Sequence, residues 1–91
     1  MARENNAAKE QVFRFSAPGA ESVLLVGDFT DWQRQPVAMS NSGGGVWTAR
    51  VKLSPGPHAY LYIVDGEWCE DPACASRVPN PFGSFNMVRK V

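Results

Sequence analysis

Apolar and polar positions alternate along much of this chain, and turn residues separate the alternating runs. From Val46 to Leu53 the odd-numbered positions are apolar, and most of the even-numbered ones are polar. A two-residue period is that of a β-strand with one buried and one solvated face. Because no stretch keeps a helical period, the pattern predicts an all-β protein.

We expect about six to eight antiparallel strands. Strands are predicted at residues 11–16, 22–27, 46–53, 58–64, 67–69 and 85–91, and loops at 28–36, 40–45 and 70–84. Asp65-Gly66 is a hairpin turn signal between two of these strands. Turns that recur every 8–12 residues are typical of an immunoglobulin-like β-sandwich, which is the predicted architecture.

Length and charge narrow the classes of function. The 91 residues fit one domain, for which we expect a flexible lead at 1–10 and the folded module at 11–91. Nine basic and nine acidic residues give zero net charge, which argues against nucleic-acid or membrane partners. Neither a bilayer-spanning run nor a signal peptide is recognisable, so the expected location is cytoplasmic.

Reactive side chains do not form a familiar catalytic or metal-binding pattern. Cys69 and Cys74 fit no zinc spacing, and two free thiols are favoured over a small disulfide loop. The carboxylates of the turns, including Asp71, are expected to be solvated rather than paired for glycoside hydrolysis. We therefore expect no cofactor, no metal and no catalysis.

The aromatic residues divide into two groups. Trp47, Tyr60 and Tyr62 occupy strand positions, as do two phenylalanines near the amino terminus, and all are assigned to the core. Trp32 and Trp68 instead lie among polar residues near turns. Each either caps an edge of the sandwich or presents a flat ring on which a sugar can stack, and the residues alone leave both alternatives open.

Several short motifs occur together in one order along the chain. They are Val26-Gly27-Asp28-Phe29-Thr30-Asp31-Trp32, Leu53-Ser54-Pro55-Gly56-Pro57-His58-Ala59-Tyr60, Val64-Asp65-Gly66-Glu67-Trp68, Asp71-Pro72 and Phe82-Gly83-Ser84-Phe85-Asn86. In this combination, across about residues 11–91, the chain resembles the family 48 carbohydrate-binding modules. These include the glycogen-binding domain of the AMP-activated protein kinase beta subunit and the amino-terminal domains of isoamylases and glycogen branching enzymes.

The resemblance implies an early-set immunoglobulin-like sandwich that binds α-1,4-linked glucans such as glycogen or starch. It places the two sugar-stacking tryptophans at Trp32 and Trp68, with Phe82, Ser84 and Asn86 completing the site. Where the family has a lysine, this chain has Leu61, which replaces a charged donor with an apolar contact for a ring face. Many members of the family are fused to a catalytic barrel that acts on α-glucans.

A second hypothesis is a protein-interaction domain. Leu61, Phe82 and the two tryptophans would then form an apolar contact patch for a partner protein or a second copy of the chain. A sandwich also has edge strands, which can pair into a homodimer.

Overall fold

The computed structural model describes residues 8–81 and 83–91 and confirms the all-β sandwich. Two antiparallel sheets of three and six strands contain every strand of the described residues. The strands are β1 (Lys9–Ser16), β2 (Val23–Gly27), β3 (Val37–Ala38), β4 (Ser40–Asn41), β5 (Val46–Leu53), β6 (Pro57–Val64), β7 (Glu67–Cys69), β8 (Arg77–Pro79) and β9 (Phe85–Lys90).

Strand β6 lies at the centre of the larger sheet. The smaller sheet has the order β1-β5-β4, and the larger has the order β3-β2-β6-β9-β8 with β7 also paired to β6. On one edge β6 pairs with β2, which places Val26 opposite Leu61. On its other edge β6 pairs first with β9 and then with β7, which places Ile63 opposite Trp68.

Three short strands lie where the sequence predicted none: β4 and β8 are within predicted loops, and β3 directly follows the loop predicted at 28–36. β3 pairs with β2, β4 pairs with β5, and β8 pairs with β9. Each has only two or three residues, too few for a period of two to be recognised. The first strand also begins at Lys9, two residues before its predicted start, and residues 1–7 of the expected lead lie outside the described residues.

The inner faces of the two sheets form one aromatic core. Phe13, Tyr60 and Tyr62 are almost fully buried, and the ring centroids of Phe13 and Tyr60 are 5.0 Å apart in an edge-to-face arrangement. Phe15, only partly buried, lies 4.5 Å from the ring of Tyr62. Trp47 is also buried and donates its indole N–H to the carbonyl oxygen of Ala17 at 3.2 Å. These contacts confirm the predicted core aromatics.

Asp71 corrects the expectation that the turn carboxylates are solvated. Its side chain is 7 % exposed and accepts a hydrogen bond from the Tyr60 hydroxyl at 2.9 Å. The Tyr62 hydroxyl lies 3.5 Å from the same oxygen, and the backbone N–H of Ala73 donates to the other oxygen at 3.0 Å. Asp71 therefore anchors the segment after β7 to the core, which a sequence pattern for turns does not reveal.

Cys69 and Cys74 are free thiols in the structure, as expected. Over residues 8–81 and 83–91, the structure contains no helix with the length and hydrophobicity that a bilayer crossing requires.

We expect the free energy of unfolding to fall as the pH rises above about 10, the ordinary pKa of tyrosine. Burial, followed by hydrogen bonding to Cys74 and Asp71, raises the pKa of Tyr60. Burial and the nearby Asp71 carboxyl raise that of Tyr62. The unfolded chain then releases these protons at lower pH than the folded chain, so alkali favours unfolding. Urea unfolding between about pH 8 and pH 11 measures the slope.

Replacing both tyrosines by phenylalanine provides the control. Because the chain has two tyrosines in all, tyrosinate absorbance reports on Tyr60 and Tyr62 alone. The double variant should show a shallower alkaline slope, and an unchanged slope would contradict this account.

Candidate functional site

The turn after β2 presents Trp32, and the hydroxyl of Thr30 holds this turn together. Thr30 is 4 % exposed and accepts a hydrogen bond from the Gly27 N–H at 2.9 Å. Its single proton is available to the carbonyl oxygens of Gly27 at 3.0 Å and Trp32 at 2.8 Å. One buried hydroxyl thus joins the end of the strand to the backbone of the exposed turn.

Position 27 needs a glycine because a side chain would not fit there, and not because of the backbone angles. Its φ of −176° is ordinary extended backbone. A β-carbon at this position would collide with the carbonyl oxygen of Ala59 and lie 2.7 Å from the Phe29 ring. The lack of a side chain at Gly27 therefore permits β2 and β6 to approach closely where the chain leaves β2 for the turn that carries Trp32.

Trp32 itself has an unusual backbone conformation. Asp31 and Trp32 have φ values of 53° and 55°, in the left-handed region that side chains other than glycine rarely adopt. Two successive residues of this kind store strain, and such strain concentrates at functional sites. The indole is half-buried and packs against the core on one side.

Trp68 reaches the same side of the sheet through the β6–β7 hairpin. The Asp65-Gly66 turn sets the register, so Trp68 lies directly opposite Ile63. Since side chains alternate along β6, Ile63 and Trp68 are on the face opposite the core tyrosines. Trp68 is 48 % exposed, the largest exposure among the chain's large apolar side chains in the described residues.

Asn86 occupies the same outer face on β9. Its neighbour Met87 pairs with Tyr60 and is fully buried, so alternation directs Asn86 outward. The preceding turn folds back toward it, because Asn80 donates its side-chain N–H to the Asn86 side-chain oxygen at 3.1 Å. The backbones of Asn80 and Ser84 are also joined, with the Asn80 N–H donating to the Ser84 carbonyl at 3.0 Å.

These segments surround one depression of about 660 Å³ on the outer face. Its lining residues are Trp32, Gln33, Trp68, Asn80, Pro81, Ser84 and Asn86. Both indoles therefore open onto one surface, as stacking requires, and amide and hydroxyl groups lie beside them. The lining found among the described residues carries no formal charge, and nowhere in that part of the chain do three His, Cys, Asp or Glu side chains form a group able to hold a metal ion.

A family described as the glycogen recognition site of AMP-activated protein kinase matches residues 10–91. The chain belongs to this family of glycogen-recognition modules. The resemblance carried by the motifs is therefore confirmed across nearly the whole chain.

The module is similar to parts of longer proteins. The beta-1 subunit of 5'-AMP-activated protein kinase from Sus scrofa is 33 % identical over 84 residues, covering 92 % of this chain and 65 % of that protein. The Homo sapiens subunit is also 33 % identical, and 29 % of it is covered. The chloroplastic phosphoglucan phosphatase LSF1 of Arabidopsis thaliana is 38 % identical over 56 residues, which cover 62 % of this chain and 10 % of that protein. The chain thus spans less than two thirds of the length of the curated relatives it matches.

The structure brings four of the six residues expected in the site into this depression: Trp32, Trp68, Ser84 and Asn86. Leu61 is not among the lining residues, because it is 6 % exposed and belongs to the core cluster. Its side chain belongs to the outer face of β6 by alternation but is buried there, and its expected contact with a sugar ring or a partner protein stays a prediction. Phe82 lies outside the described residues.

Sequence reasoning missed Gln33, Asn80 and Pro81 as lining residues. Gln33 directly follows Trp32, and Asn80-Pro81 is a turn signal immediately before the motif that contains Ser84. The sequence shows that these residues are next to the predicted site residues. Only the hydrogen bonds of the turn show that Asn80 faces Asn86.

We expect Thr30→Val to loosen the turn that presents Trp32. The substitution preserves shape but removes the hydroxyl that the backbone groups of Gly27 and Trp32 use. Leaving them unpaired should lower the free energy of unfolding by about 1–3 kcal/mol. Urea unfolding and the near-ultraviolet circular dichroism of tryptophan measure the effect.

Thr30→Ser is the matched control, because it keeps the hydroxyl and removes only a methyl group. It should retain most of the stability and the native tryptophan signal. Equal losses in both variants would show that the methyl packing, and not the hydroxyl, holds the turn.

Proposed function

We propose that this module binds α-1,4-linked glucans without modifying them, by stacking glucose rings on Trp32 and Trp68. The observation that carries the proposal is the opening of both indoles onto one depression bordered by Ser84 and Asn86. The family match to glycogen-recognition modules supports the same class of ligand.

The chemistry of the depression suits a neutral sugar polymer. A glucose ring has C–H groups on its faces and hydroxyls around its rim. Indole rings cover the faces and bury large apolar areas. The Asn86 amide can donate to a rim oxygen, and the Ser84 hydroxyl, which donates to the Glu70 carboxylate at 3.4 Å, can accept from a rim hydroxyl. The absence of charge from the described lining favours an uncharged glucan.

An open site of this kind is expected to bind a single chain weakly, with a dissociation constant in the range of about micromolar to millimolar. A branched polymer offers many such chains at once. Retention on glycogen is therefore expected to exceed the affinity for one short oligosaccharide, through avidity.

Trp32→Ala and Trp68→Ala should each weaken binding by about tenfold or more, because each removes a flat apolar surface that stacks on the sugar. Isothermal titration with maltoheptaose or β-cyclodextrin measures the loss. Thermal unfolding of the same samples shows whether the fold is retained.

Phe85→Ala is the matched control. Phe85 is 41 % exposed and adjoins Asn86, yet it is outside the lining of the depression and lies beneath the Arg77 guanidinium at 5.1 Å. Binding should be unchanged in this variant. The proposal fails if the unsubstituted module binds no α-glucan, or if neither tryptophan substitution affects binding.

We further infer that the module accompanies an α-glucan-active enzyme and brings it to cytoplasmic glycogen or starch-like polymers. The named relatives include a kinase subunit and a phosphoglucan phosphatase, and the matched region is a minor part of the phosphatase. Incubation of the module alone with maltooligosaccharides should release no new reducing ends. Their appearance would instead indicate an enzyme.

A partner protein or a second copy is the other candidate ligand. Val78 on β8 and Phe85 on β9 are both more than 40 % exposed, and alternation places them on opposite faces of the sheet, so each offers a partner a separate small apolar contact apart from Leu61. Sedimentation at increasing concentration tests self-association. A molecular mass that rises with protein concentration and is unchanged by added oligosaccharide would favour this candidate.

A further inference from the structure

Asn80 contacts the backbone of Ser84 and the side chain of Asn86, the two polar residues implied in sugar binding, although no motif assigned it a role. Its side-chain oxygen accepts a hydrogen bond from the backbone N–H of Ser84 at 3.1 Å. A backbone N–H can only donate, so the Asn80 atom facing it must be the oxygen. The orientation of the Asn80 amide is therefore fixed by the backbone of its own turn.

The orientation of the Asn86 amide follows from that of Asn80. With its oxygen toward Ser84, Asn80 has its nitrogen toward Asn86, and this Nδ2 lies 3.1 Å from Asn86 Oδ1. A side-chain nitrogen of asparagine can only donate, so the facing Asn86 atom must be the oxygen. The Asn86 Nδ2 group is then the part of this side chain left for the depression that Asn86 lines.

We propose that Asn80 is a positioning residue that makes Asn86 a hydrogen-bond donor toward the glucan. The relay runs from the Ser84 N–H through the Asn80 amide to the Asn86 carbonyl oxygen. Without it, the Asn86 amide is free to rotate and to present either its oxygen or its nitrogen. Fixing the nitrogen toward the ligand selects a sugar hydroxyl oxygen as the acceptor. This inference rests on the proposed glucan function.

Backbone hydrogen bonds of the turn between β8 and β9 fix the position of Asn80. The Asn80 backbone N–H donates to the Ser84 carbonyl, and the Gly83 N–H lies 3.4 Å from the Asn80 carbonyl. Gly83 has a φ of 81°, a conformation that favours glycine. Asn80 is itself partly buried, so its amide has limited freedom to leave the relay.

The decisive variant is Asn80→Asp, which preserves size and still accepts from the Ser84 N–H. At neutral pH its second oxygen can only accept, so Asn86 must rotate its nitrogen toward it and its oxygen toward the ligand. Affinity for maltoheptaose should fall about 2–10-fold, the value of one hydrogen bond. Isothermal titration at pH 7 measures this loss.

Lowering the pH provides a readout that a purely structural role would not change. Once the pH falls below about 4, the introduced carboxyl is protonated and can donate to Asn86 as the native amide does. The affinity of Asn80→Asp relative to the unsubstituted module, measured at the same pH, should then recover. A ratio that stays low in acid would overturn the proposal.

Asn41→Asp is the matched control, because Asn41 also accepts a backbone N–H within a turn, that of Gly43 at 2.9 Å, but lies outside the depression. Asn41→Asp should bind maltoheptaose as tightly as the unsubstituted module does, both at neutral pH and in acid. If Asn41→Asp loses the same affinity, the effect comes from added charge and not from the relay.

A double-mutant cycle separates positioning from general support of the turn. Asn80→Ala should weaken binding in the native background but change it less than about twofold when Asn86→Ala is already present. Additive losses would show that Asn80 acts independently of Asn86 and would overturn the proposal. Absence of binding by the unsubstituted module would instead refute the glucan function, so the two failures are distinguishable.

Discussion

Strand β6 is the constraint on which both the core and the candidate site depend. It is paired on one edge with β2 and on the other with β9 and then β7, so its register cannot slip without breaking three ladders. A shift by one residue would move Tyr60 and Tyr62 out of the core and expose their buried hydroxyls. The same pairing fixes the positions of Trp68 and Asn86 on the outer face.

Buried polar contacts attach the segments that carry the two tryptophans to β6 and to its neighbour β2. On the inner side, Asp71 accepts from Tyr60 and so anchors the segment that follows Trp68. At the end of β2, Thr30 joins the strand to the strained backbone of Trp32. Each tryptophan thus lies within three residues of a buried polar side chain, Thr30 for Trp32 and Asp71 for Trp68, that hydrogen-bonds its segment to the rest of the fold.

The site combines a rigid apolar surface with oriented polar groups. Stacking alone tolerates many flat sugars, whereas a fixed donor beside the rings distinguishes among hydroxyl arrangements. Leu61 is buried and the described lining carries no formal charge, so the proposed glucan recognition would depend on shape and on hydrogen bonds from neutral side chains.

The sequence by itself determined the long strands, the core aromatics, the hairpin at Asp65-Gly66 and the family, because alternation and turn chemistry are local properties. Motifs in the right order also predicted that Trp32, Trp68, Ser84 and Asn86 belong to one site, and the structure places these four around one depression. Only the tertiary structure decided that Leu61 is buried, that Asp71 lies in the core and that Asn80 faces Asn86. These features depend on which strands become neighbours, and the physical cause is long-range pairing, which no local pattern of residues encodes.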